Sequence, residues 1–128
     1  MHISFTVWQF VRVMVYLEEV PAPSSNQQAL LKDWNEIWKE LDQQLSQLAE
    51  DDFDAYSAMM MDQDLVIDDA TTEQIETAKG AIEKVMAQLD ALQKEGGDDE
   101  YMQSLKFERR ELRQLARKFA RLIAPDGA

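Results

Sequence analysis

The carboxylates gathered between Glu50 and Asp69 are the first residues in this chain whose type and spacing could do chemistry. That stretch holds eight acids and no base. A run of acidic oxygens suits a hard cation such as calcium, which takes six to eight oxygen ligands. Counted as an EF-hand loop from Asp62, Asp64 falls at position 3 and Glu73 at position 12, as a ligand set requires. Val66, however, sits where a ligand belongs, and Ile67 replaces the glycine of the sharp turn. Two mismatches at geometry-defining positions leave the segment as solvated acidic surface, with no metal expected.

Other catalytic arrangements lack parts. Di-iron bundles need Glu-x-x-His pairs on facing helices, and the only histidine is His2. The same shortage removes a Ser-His-Asp triad, and no glycine-rich phosphate loop follows a strand. With no cysteine there is no disulfide, thiolate metal site or Cys nucleophile. Nothing in the spacing places two carboxylates in one pocket for acid and base work. The expectation is a protein that is not an enzyme and carries no cofactor.

Basic chemistry is confined to the other end. Lys106, Arg110, Arg113, Arg117 and Arg121 follow one another at spacings 4, 3, 4, 4, opposite Leu112, Leu115 and Phe119. Like charges at i, i+4 repel by a few tenths of a kcal/mol per pair, about 0.2–0.5. Such a ridge is either neutralised by the chain's own acids, solvated, or a dock for an acidic protein or a nucleic-acid backbone.

Charge is sorted along the whole chain in the same sense. Met1 to Glu100 holds 22 Asp and Glu against 6 Lys and Arg, a net of −16, whereas Tyr101 to Ala128 holds 3 against 7, a net of +4. The overall charge of −12 argues against direct nucleic-acid binding and against anionic membranes. The apolar run Ile3 to Leu17 is too short to span a bilayer and is broken by Gln9 and Arg12. It has no basic lead and no small-residue cleavage site, so a mature cytoplasmic protein is expected.

These residues must be positioned by helices. Leu31, Trp34, Trp38, Leu41, Leu45 and Leu48 alternate at spacings of 3 and 4, after a Ser25/Gln28 capping signature. Ile75, Ala78, Ile82, Val85, Leu89 and Leu92 repeat the pattern behind Thr71 and Gln74, and Gly96-Gly97 stops it. Leu105, Leu112, Leu115, Phe119 and Leu122 form a third seam, interrupted by Glu108, with Asp98 or Asp99 capping its start and Pro125 ending it. Trp34 and Trp38 lie on the first seam as core residues whose indole N–H groups need an acceptor at the bundle edge.

Val7, Val11, Val13 and Val15 favour a strand. With no second strand in view to pair it, a helix apolar nearly all round is the reading, broken only by the stripe of Gln9, Arg12 and Tyr16. Phe53, Tyr56 and Met60 suggest a short acidic helix, and Leu65-Val66-Ile67 an apolar plug in a loop. The triplet Met59-Met60-Met61 suits either a gap in the core or an adaptable contact surface.

The fold expected is all-α, a compact antiparallel bundle of about four main helices plus a short acidic helix. A chain of 128 residues fits one domain. The helices are placed at about 4–19, 26–50, 72–95 and 99–123, with an acidic connection over 50–70. The function expected is a non-catalytic protein-binding module, an adaptor, inhibitor or regulatory subunit. Three candidate surfaces follow: an acidic face (Asp51, Asp52, Asp54, Asp62, Asp64, Asp68, Asp69), the basic ridge just named, and an apolar patch (Phe5, Trp8, Val11). That patch would also support a homodimer through the first helix.

Two alternatives come from different classes. In size, acidity and helicity the chain resembles small proteins that mimic nucleic acid and block restriction or CRISPR machinery. In that case the partner is itself a nucleic-acid-binding protein. The other alternative is a helical subunit of a ribonucleoprotein that binds through the basic ridge.

Overall fold

Residues 1–124 are described by the computed structural model, so Pro125 lies outside the described residues. The fold is all-α, with a single two-stranded ribbon among the described residues. The chain forms two compact units, residues 1–71 and 72–128.

The first unit opens on a strand, β1 (Ile3–Thr6), followed by helix α1 (Val7–Glu19). The helix expected from residue 4 therefore begins three residues later, and the reason is a capping box. Thr6 holds an extended backbone and its hydroxyl accepts from Gln9 N–H at 3.1 Å, while Gln9 Oε1 accepts from Thr6 N–H at 2.9 Å. Phe5 and Phe10 flank that box with ring centroids 5.5 Å apart, the positions of a hydrophobic staple. Gln9 is thus a buried cap and no part of a polar stripe.

The apolar plug is also a strand, β2 (Asp64–Ile67), and it supplies the partner that the N-terminal segment lacked. The two run antiparallel with Ile3 opposite Ile67 and Phe5 opposite Leu65. Past Ile67 the register slips. Met1 and Ala70 exchange both backbone hydrogen bonds, at 2.9 and 2.6 Å, so His2 on one strand faces Asp68 and Asp69 on the other. One extra residue is the signature of a bulge, which ends the ladder.

The first long seam divides into α2 (Ser25–Asp33) and α3 (Asn35–Asp51) at Trp34, whose backbone turns to φ −100°, ψ 7°. Trp34 is 3% exposed and its ring lies 6.1 Å from Phe5 and 5.9 Å from Phe10. Leu30 rather than Leu31 is the buried residue of α2. The cap also shifts by one, to Ser24 with Gln27. Trp38 is half-buried rather than core, and it donates its indole N–H to Glu18 on α1. The short acidic helix α4 (Phe53–Asp62) is capped by Asp52, which accepts from Ala55 N–H at 3.1 Å. None of the α4 residues is fully buried, and Phe53 is 67% exposed. The three consecutive methionines are accordingly half-buried or exposed.

The second unit is a helical hairpin of α5 (Thr72–Glu95) and α6 (Asp99–Leu122). Gly96 breaks α5 with φ +80°, a left-handed conformation that favours glycine. Gly97 leaves room for the Tyr101 ring, because a Cβ there would sit 2.6 Å from it. Asp98 caps α6 by accepting from Tyr101 N–H at 2.8 Å. The seams are buried from Ile75 to Leu89 and from Leu105 to Phe119, whereas Leu92 and Leu122 at their ends are exposed. Arg109 on α6 grips Asp90 on α5 through Nε at 2.6 Å, which ties the two helices together.

Candidate protein-binding surfaces

The first unit carries nearly all of the acid excess. Residues 1–71 hold 14 Asp and Glu against 3 Lys and Arg, a net of −11, and residues 72–128 hold 11 against 10, a net of −1. All seven aspartates of the acidic face are exposed. Two have structural roles: Asp52 caps α4, and Asp68 meets His2 Nδ1 at 2.8 Å beside the bulge. Asp51, Asp54, Asp62, Asp64 and Asp69 make no ion pair among the described residues, so their charge is offered to solvent. Asp51 ends α3, Asp54 and Asp62 lie on α4, Asp64 opens β2 and Asp69 follows it, with single residues joining α3 to α4 and α4 to β2.

The basic ridge forms on α6 as the spacing predicts. Lys106, Arg110, Arg113, Arg117 and Arg121 are all exposed, and Leu112, Leu115 and Phe119 are buried. Among the described residues, none of the five ridge residues makes an ion pair. Arg110 instead lies over the Phe107 ring, 5.8 Å from its centroid. Lys106, Arg110 and Arg113, with Asp90, Gln93 and Arg109, border a shallow depression of about 440 Å³. The only acidic group on its rim, Asp90, is already held by Arg109.

Of the apolar patch, Phe5 belongs to the core, and only Trp8 and Val11 reach the surface. Phe5 is 4% exposed, locked between Phe10 and Trp34, while Trp8 and Val11 are half-buried. Val7, Phe10, Val13, Met14 and Leu17 bury the apolar face of α1, which packs on α2, on α4 and on both strands. Phe5 is thereby removed from a contact through this helix, whereas Trp8 and Val11 stay partly exposed.

A further surface was not legible as a site in the sequence. Val7 N–H donates to Gln63 O at 3.0 Å, which makes Val7 and Gln63 a hydrogen-bonded pair. Such pairs alternate along an antiparallel ladder. Phe5 with Leu65 and Ile3 with Ile67 are therefore the next ones, and the backbone N–H and C=O groups of Asp64 and Val66 point away from β1. Beside this strand lies a cleft of about 290 Å³, bordered by Ile37, Glu40, Leu41 and Gln44 of α3 and by Gln63, Leu65 and Val66. Val66 is 48% exposed. The only strand signal read in the sequence came from Val7, Val11, Val13 and Val15, and all four lie in α1 rather than in β1.

Among the described residues, no group of three or more His, Cys, Asp or Glu side chains is placed to hold a metal ion. No helix among them is long and apolar enough to cross a membrane. Compared with protein-family models, curated proteins and solved structures, the chain matches none.

Proposed function

We propose that the chain is a non-catalytic protein-binding module whose acidic unit, residues 1–71, is the contact surface. The observation that carries this reading is the net charge of −11 in that unit together with five exposed carboxylates that have no ion-pair partner among the described residues. Like charges held on one small unit repel each other, and a partner with a basic surface relieves that repulsion. The geometry of encounter follows, since opposite potentials speed association and select against acidic partners. Proteins that bind nucleic acid present such basic surfaces, which makes the inhibitor-like mimic one form of this module. The bundle contributes by holding the carboxylates on short, capped elements, and no bond making or breaking is assigned to it.

A second reading rests on the basic ridge, whose five cations are exposed and make no ion pair among the described residues. An acidic protein or a nucleic-acid backbone is its complement. Affinity capture from lysate, run with and without nuclease, separates the two. The set Asp51→Lys, Asp54→Lys, Asp62→Lys and Asp64→Lys should abolish nuclease-resistant capture while leaving the helical spectrum unchanged. Capture that survives this set but is lost in Arg113→Glu with Arg117→Glu would replace the acidic surface with the ridge. Nucleic acid in that eluate would make the protein a ribonucleoprotein subunit.

A further inference from the structure

We propose that the free edge of β2 accepts an extended, positively charged segment of a partner protein as a third strand, seated in the cleft beside α3. The inference rests on the protein-binding reading above and adds where and how the partner is held. Four observations converge on it.

First, the edge is chemically unfinished. The ladder parity set by Val7 and Gln63 turns the N–H and C=O groups of Asp64 and Val66 outward, and no backbone partner meets them among the described residues. An incoming strand satisfies such groups with main-chain hydrogen bonds, the basis of recognition by strand addition. Second, there is space at that edge. The cleft is bordered by consecutive residues of β2, Leu65 and Val66, which belong to opposite faces of the strand, and by Gln63 just before it. Its wall across from the strand is α3, with Ile37 and Leu41 as the apolar contacts.

Third, the chemistry of the occupant is set by what surrounds it. Side chains of an added strand alternate between faces. Those pointing toward Leu65, Ile37 and Leu41 must be apolar. Those on the face of Asp64 and Val66 meet an acidic border, with Glu40 on the cleft rim and Asp62 just upstream. An alternating apolar and basic sequence fits, and an acidic one is repelled. Fourth, the same charge disfavours a second copy of the chain, because edge-to-edge pairing would set one −11 unit against its twin. Charged residues on an edge strand commonly block such self-pairing. Here they also define the partner. The bulge at Asp68 and Asp69 ends the ladder, so the seat is about four residues long, matching β2 itself.

The test uses the full chain and two hexapeptides of alternating valine with lysine or with glutamate, capped at both ends. Fluorescence anisotropy should show saturable binding of the Val/Lys peptide and at least tenfold weaker binding of the Val/Glu peptide. Amide hydrogen exchange should slow at Asp64 and Val66 in the complex. Val66→Pro removes one outward donor without touching the bonds to β1, and it should weaken binding at least tenfold with an unchanged melting curve. Should that variant unfold, the wild-type chain with a Val/Lys peptide N-methylated at both central residues, unable to pair on either edge, must show the same loss. Binding that ignores both changes and protects neither amide overturns strand addition. If it is nonetheless lost in the four-aspartate charge reversal, the acidic-surface reading stands alone. Absence of any Val/Lys binding overturns the edge proposal, and basic-peptide binding untouched by the charge reversal overturns the acidic reading as well.

Discussion

Thr6 and Gln9 decide where the first helix begins, and they do so with two hydrogen bonds that close on each other. Replacing either Thr6 or Gln9 by alanine should therefore cost about 1 kcal/mol in urea unfolding, the usual worth of a helix cap. Loss below about 0.3 kcal/mol for both would mean that the Phe5 and Phe10 contact alone starts the helix. The motif Thr-x-x-Gln stands in the sequence, but the surrounding valines and phenylalanines mask it, because a helix and a strand both accept them. Arg12 makes a different prediction. Its Nε is buried with no hydrogen-bond partner among the described residues. An unsatisfied buried donor costs roughly 1–3 kcal/mol. Arg12→Met keeps the stem and removes the donor, so its urea midpoint should equal or exceed that of the wild type.

At the scale of elements, helices that carry a long 3-and-4 seam were legible and the short strands were not. Helices α5 and α6 match their expected spans within a residue, because each presents an apolar stripe for several turns and ends on a glycine or begins on an aspartate. In them, Val85→Ala and Leu115→Ala should destabilise the fold, the leucine by about 2–4 kcal/mol and the valine by less, since both side chains are 3% exposed. Gln43→Ala on the exposed face of α3 should stay within about 0.5 kcal/mol. Gly96→Ala should cost about 1 kcal/mol through its positive φ, read as a lowered urea midpoint. Strand β2 has four residues, too few for period-2 alternation to stand out, and its partner lies some sixty positions earlier. Trp34 splits one expected helix in two for a similar reason: the seam continues through it, and only the Phe5 and Phe10 rings show where the indole has to go.

For the whole molecule, charge is the property on which the proposed function rests, and it makes a prediction about stability. Raising ionic strength from about 0.01 to 0.15 M shortens the screening length from about 30 to 8 Å. Residues 1–71, at −11, should gain hydrogen-exchange protection across that range, and residues 72–128, at −1, should change far less. Equal gains would mean that the two units share their electrostatic load. Sequence by itself determined the helical class, the α5–α6 turn, the position of the basic ridge and the acidity of the first unit. Each depends on neighbours within a few residues, where helix period, caps and charge counting act. Tertiary structure alone decided that Phe5 is core, that residues 3–6 pair with 64–67, and that the outer edge of β2 is left open beside α3. Those outcomes depend on contacts between segments far apart in the chain. The energy that selects among them is the burial of the Phe5, Phe10 and Trp34 rings, and no local window of sequence contains all three.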